Sequence, residues 1–175
     1  MTDEQKVKPE FSRPFNSERL QDAPRHEHIE ANAQERAALA TRFGILGIES
    51  FSADIILERI KDDARLVDVR GTVKAKVTQA CIVTLEPVEE EASDTFDTVF
   101  ASEAYVNRWL KDNPHDEYEA PEPLQNGWLD LGELAAQYLS LALNDYPRKE
   151  GVEIAEDPAD AAKPNPFAIL AKLKK

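Results

Sequence analysis

The sequence is poor in the residues that most function classes need. It holds one cysteine, Cys81, which rules out a disulfide framework within the chain and the close cysteine pair of a structural zinc site. Its six glycines are scattered and form no Gly-x-Gly-x-x-Gly or phosphate-loop signature, nor any Gly-x-Ser-x-Gly elbow. His26 and His28 stand two apart and do not make a His-Glu-x-x-His pair. No nucleophile, base and orienting group can be assembled, so neither an enzyme, a cofactor nor a small-molecule substrate is expected. No apolar run approaches the roughly 18 residues of a membrane span. The first residues (Met1-Thr2-Asp3-Glu4-Gln5-Lys6) carry no apolar core or cleavage signal. A soluble cytoplasmic protein without a membrane partner is the expectation. Basic side chains are scarce too: 21 Lys and Arg face 34 Asp and Glu, for a net charge of −13. Coating duplex nucleic acid or an anionic membrane needs a cationic surface, and this balance argues against both.

What is present is a core's worth of apolar residues, 42% of the chain, and one concentrated block of acid. Residues 85–122 carry 12 acidic and 2 basic side chains, led by Glu89, Glu90, Glu91 and Asp94. Such a block reads as a solvated face and loop, or as a surface kept open by like-charge repulsion for a basic partner.

The periodicity predicts an α+β fold. Glu10 to Asn16 is a candidate edge strand, since Pro14 cannot donate to a central ladder, and Arg25 to Ala31 is a second. Asn32 and Glu35 form a capping box ahead of a helix over 33–43, with Gly44 as its left-handed stop. From Ile48 the period changes to two. Alternation over 51–60 and again over 65–79, joined by a polar turn at Lys61-Asp62-Asp63-Ala64, predicts an antiparallel hairpin. Gly71 would mark a bulge in its second strand. A third strand fits 95–101, and 111–127 reads as loop. Asp130 and Glu133 form another capping box, opening a helix whose broad apolar stripe ends before Pro147. The expected organisation is one domain over 10–148, an antiparallel sheet packed by two helices. A linker follows over 149–164, then a docking motif over 165–175.

Three features bear on function. Arg70, Lys74 and Lys76 share the wet face of the second hairpin strand; they are ordinary strand charge or a small phosphate-contacting patch. Cys81 reads as a small buried hydrophobe, because a reactive thiol needs nearby positive charge and alternation aims the lysines elsewhere. In the closing segment, Phe167, Leu170 and Leu173 share a helical face after Asn165-Pro166, and the lysines lie at its C-terminal end. That pattern is a docking element, onto its own domain or onto a partner.

These stretches together resemble the YceD family, the bacterial large ribosomal RNA subunit accumulation proteins. The resemblance runs from about Phe11 to Lys174. It rests on Phe11-Ser-Arg-Pro14, on Glu35 to Leu39, on Cys81 to Val88 and on Asp130 to Leu139. The closing stretch from Asn165 to Lys174 is its most distinctive piece. At the turn, Cys81, Leu85 and Pro87 match the family's pattern, as do Asp130, Leu131, Glu133 and Leu134 at the helix. Val83 and Thr84 replace an Arg and a second Cys, so no role for a cysteine pair carries over. The resemblance implies a non-enzymatic role in large-subunit ribosomal RNA synthesis, processing or accumulation. Two modes are open. The acidic segment, helped by Asn165, Pro166, Phe167 and Leu170 as anchors, would bind basic ribosomal proteins or pre-ribosomal particles. Alternatively, Arg70, Lys74 and Lys76 would bind precursor ribosomal RNA directly.

Overall fold

A computed structural model describes residues 9–21, 23–115 and 120–152. The linker beyond Val152 and the 165–175 motif lie outside the described residues.

The fold is α+β. Its elements run β1 (Pro14–Asn16), β2 (Arg25–Glu30), α1 (Ala33–Phe43), β3 (Gly47–Ile60), β4 (Asp63–Ala80) and β5 (Pro87–Ser102). Then come α2 (Glu103–Asp112), β6 (Glu122–Leu124), β7 (Trp128–Asp130) and α3 (Leu131–Ala142). Five strands form one sheet in the order β2-β3-β4-β5-β6, antiparallel except for the short parallel β5–β6 pair.

Alternation along the long strands sorts side chains onto two faces. Phe51, Ala53, Ile55 and Leu57 of β3 join Val67, Val69, Val73, Ala75 and Val77 of β4 on the buried one. Helix α1 packs on β3 and α3 on β4 and β5, so this face and Leu39, Leu134, Ala135 and Leu139 make the core. Among the described residues, no element covers the middle of the opposite face, which stays wet.

The hairpin and the first helix stand where the sequence puts them, capping box and Gly44 included. Elsewhere the expectations need correction. The hairpin turn is only Lys61-Asp62, because Asp63 and Ala64 already belong to β4. No bulge occurs at Gly71, which pairs in register with Ile55 and Phe96; the irregularities fall between Ile48 and Ser50 and between Arg59 and Ile60. The segment beginning at Glu10 yields only the three residues of β1, which pair with β7 in a separate two-stranded sheet.

The third long strand starts at Pro87, eight residues earlier than expected, and takes in the acidic run. A third helix, α2, occupies a stretch not expected to be helical. Ser102 caps it by accepting from the Tyr105 amide, and Val106 is its buried residue. The loop reading of 111–127 also misses β6, whose Pro123 sits in a sheet-margin strand where a missing amide costs no central ladder bond.

Candidate partner-binding surface

The wet face is built by the registers of β2 to β5. Across it, His26, Ile56, Arg70 and Asp97 form one row, and His28, Asp54, Thr72 and Thr95 the next. Lys74 lies opposite Ser93 and Lys76 opposite Glu91. The basic residues expected to contact RNA therefore share their face with carboxylates. Arg70 is paired with two of them: its Nε lies 2.8 Å from Asp68 Oδ2, and a terminal nitrogen pairs with Glu58. Burial, then the neighbouring Asp97 charge, push Asp68 above the ordinary carboxylate range despite Arg70. Negative charge is in excess at that corner.

Strand geometry divides the acidic run. Glu89 and Glu91 pair opposite Thr78 and Lys76 on the wet face, where Asp97 also lies. Glu90 and Asp94 pair opposite Val77 and Val73, so they stand on the helix side. There Glu90 Oε1 accepts from Asn144 Nδ2 at 2.9 Å, and Asp94 Oδ1 accepts from the Thr95 amide at 2.8 Å. The four carboxylates of the acidic run are thus not one patch but two rows on either side of one strand. That strand is also a margin. Among the described residues, β5 pairs along 87–99 only with β4; its other edge meets a partner, β6, only from Phe100 to Ser102.

Beyond the end of β4 the chain turns through Cys81 to Glu86, closed by the Cys81 amide donating to the Glu86 carbonyl at 2.8 Å. Leu85 adopts φ 61° and is exposed, and Pro87 opens β5. Cys81 is completely buried, as expected. The Thr84 hydroxyl, helped by the amides of Lys149, Thr84 and Val83, lowers its pKa to about 6 against the opposing effect of burial. Hydrogen bonds to the thiolate do what a neighbouring cation would have done. One of those donors comes from a residue 68 positions away in the chain, which local sequence cannot reveal.

The Asp130 motif has a structural role. Asp130 Oδ1 accepts from the amides of Gly132 (3.0 Å) and Glu133 (3.2 Å), capping α3, and from the Arg13 amide at 2.8 Å; Oδ2 accepts from Ser12 Oγ at 2.5 Å. Glu133 does not return to close the expected capping box. Its carboxylate takes a two-pronged bond from Arg42 of α1 at 2.7 and 2.8 Å. Leu131 and Leu134 point into the core.

Residues 69–174 match the family model described as large ribosomal RNA subunit accumulation protein YceD. The chain belongs to the YceD family. The matched span holds β5, the Cys81 turn, α3 and the closing motif. The family's name implies a role in accumulation of the large-subunit ribosomal RNA. Neither a curated protein nor a solved structure matches the chain. Among the described residues, no helix is long and apolar enough to cross a membrane.

Gln79 escaped the sequence reading. It is 8% exposed at the inner side of β4, where its Nε2 donates to the Asn144 carbonyl at 3.0 Å. Its Oε1 is the one buried side-chain polar atom without a partner among the described residues. A glutamine at an apolar-parity position after Val73, Ala75 and Val77 was the available signal.

Proposed function

We propose that this protein is a non-enzymatic, cytoplasmic factor of large-subunit biogenesis whose acidic β5 binds basic ribosomal proteins or pre-ribosomal particles containing them. The observation that carries this is the strand's charge. Between Pro87 and Val99 it holds five carboxylates (Glu89, Glu90, Glu91, Asp94 and Asp97) and no basic side chain, and among the described residues none of the five is held in an ion pair. Charge of one sign along an exposed strand speeds encounter with a basic partner and disfavours RNA. The docking motif, with Asn165, Pro166, Phe167 and Leu170, supplies apolar anchors in this reading.

Direct RNA binding through Arg70, Lys74 and Lys76 has less support. Arg70 is spent on Glu58 and Asp68, and Lys76 lies opposite Glu91. The test is capture from lysate at low salt with nuclease present. Neutralising Glu89, Glu90, Glu91 and Asp94 to Gln or Asn should abolish retention of ribosomal proteins. Reversing Arg70, Lys74 and Lys76 should leave it intact. Unchanged capture by the neutralised variant, or capture that vanishes with nuclease alone, defeats the proposal.

A further inference from the structure

The free edge of β5 and the orphan acceptor of Gln79 meet at one end of the sheet. Val77, Gln79, Glu90, Glu91, Ala92, Ala142 and Asn144 line a pocket of about 330 Å³ there, between β4, the start of β5 and the end of α3. Its polar character is that of an acceptor. Among the described residues, Gln79 Oε1 has no donor, and Glu90 has only the neutral amide of Asn144. The last turn of α3 contains no basic residue, so the partial negative charge of its terminal carbonyls is uncompensated by the helix itself. A cationic donor supplies what all three lack.

Alongside the pocket runs the edge from Pro87 to Val99, unpaired among the described residues. Every second residue of such an edge presents its amide and carbonyl outward, which is the template for adding an extended peptide. We propose that an extended Lys- or Arg-bearing segment of a basic partner adds as a strand to this edge. One of its cationic side chains enters the pocket, between Gln79, Glu90 and Asn144. The inference rests on the acidic-surface reading above and specifies its geometry. Charge decides the occupant. A second copy pairing edge to edge would set five carboxylates against five, whereas a basic strand meets Glu89, Glu91 and Asp97 on one face and Glu90 and Asp94 on the other.

The probe is a synthetic peptide of about ten residues alternating Lys with Val or Thr, titrated into the full chain at low salt. Two further peptides have the same charge but carry N-methyl groups on every second backbone amide, one in each alternation phase. Binding should slow hydrogen exchange of alternate β5 amides. Methylation in one phase only should weaken binding by about tenfold or more, since several backbone bonds are lost together. Gln79→Leu and, separately, Glu90→Gln should each weaken it several-fold; Glu90→Gln keeps the side chain's shape and so guards against misfolding. Equal binding of both methylated peptides overturns the strand addition. Binding only after Lys172, Lys174 and Lys175 are changed to Glu also overturns it, because the chain's own closing segment would then be the occupant. If the peptide fails to bind while basic ribosomal proteins are still captured, the edge geometry alone falls. If capture fails as well, the acidic-surface reading falls with it.

Discussion

Gly71 lacks a side chain because the ring of Phe96 occupies the space one would need. A Cβ there would lie 2.5 Å from Phe96 Cζ and 2.9 Å from the Asp54 carbonyl oxygen. The ring has little freedom to retreat, since it stacks on Tyr138 at 4.5 Å between centroids and a 15° interplanar angle. The aromatic residue covers the gap that glycine leaves in a long strand. Gly71→Ala should therefore destabilise the protein by about 1–3 kcal/mol, the usual cost of overpacking, as read by urea unfolding. The same change in a Phe96→Leu background should cost distinctly less. Equal costs in both backgrounds would mean that the Asp54 carbonyl, and not the ring, sets the constraint. The glycine itself was visible in the sequence, but its reason was not. Opposite neighbours in a ladder are set by register, and Phe96 is 25 positions away.

At the scale of elements, α3 depends on a residue that also anchors the chain's first described segment. Asp130 caps the helix and holds Ser12 and the Arg13 amide, and Gly132 lets the backbone of residues 11–13 cross the helix start. Any Cβ at 132 would overlap the carbonyl of Phe11. Asp130→Ala removes a cap and two anchoring bonds, at an expected cost of about 2–4 kcal/mol in chemical unfolding. Asp130→Asn retains an acceptor where Oδ1 takes all three amides, so it should recover most of that loss. If Asn is as damaging as Ala, the carboxylate charge and not the cap geometry matters. The cap was legible from Asp130 and its spacing to Glu133, because capping is local. Glu133's true partner was not, because Arg42 arrives from another helix. Helix α2 escaped for a different reason: its Ser102 cap and Val106 sit inside an acidic block that reads first as solvated loop.

For the whole molecule, two arginine clamps tie the N-terminal segment, α1 and α3 together on the helix side of the sheet. Arg13 lies over the Phe11 ring and bonds Glu35 at 2.7 and 3.0 Å, while Arg42 joins Glu10 to Glu133. The Arg13 guanidinium, helped by the Asn32 amide, holds Glu35 below the ordinary 4.5 of its carboxyl. A depressed acid stabilises the fold above its unfolded pKa, and that contribution is lost as pH falls through the folded value. Glu35→Gln should thus cost about 1–2 kcal/mol near pH 7. The gap to the unmodified protein should close well below pH 4.5, both followed by urea unfolding. A gap that persists in acid would assign the loss to packing.

The sequence by itself determined the α+β class, the 33–43 helix with its cap, the long hairpin and the family. Each is carried by local signals: a period of two or 3.6, a capping residue at fixed spacing, a contiguous motif. Only the tertiary structure decided the form of the surface. Glu89, Glu90, Glu91 and Asp94 look like one acidic cluster in the chain, but strand alternation sends two to each face. Arg70 looks like a free cation until the β3 register brings Glu58 beside it. The open edge of β5 is likewise invisible along the chain, because an edge is defined by the strand that does not pair there.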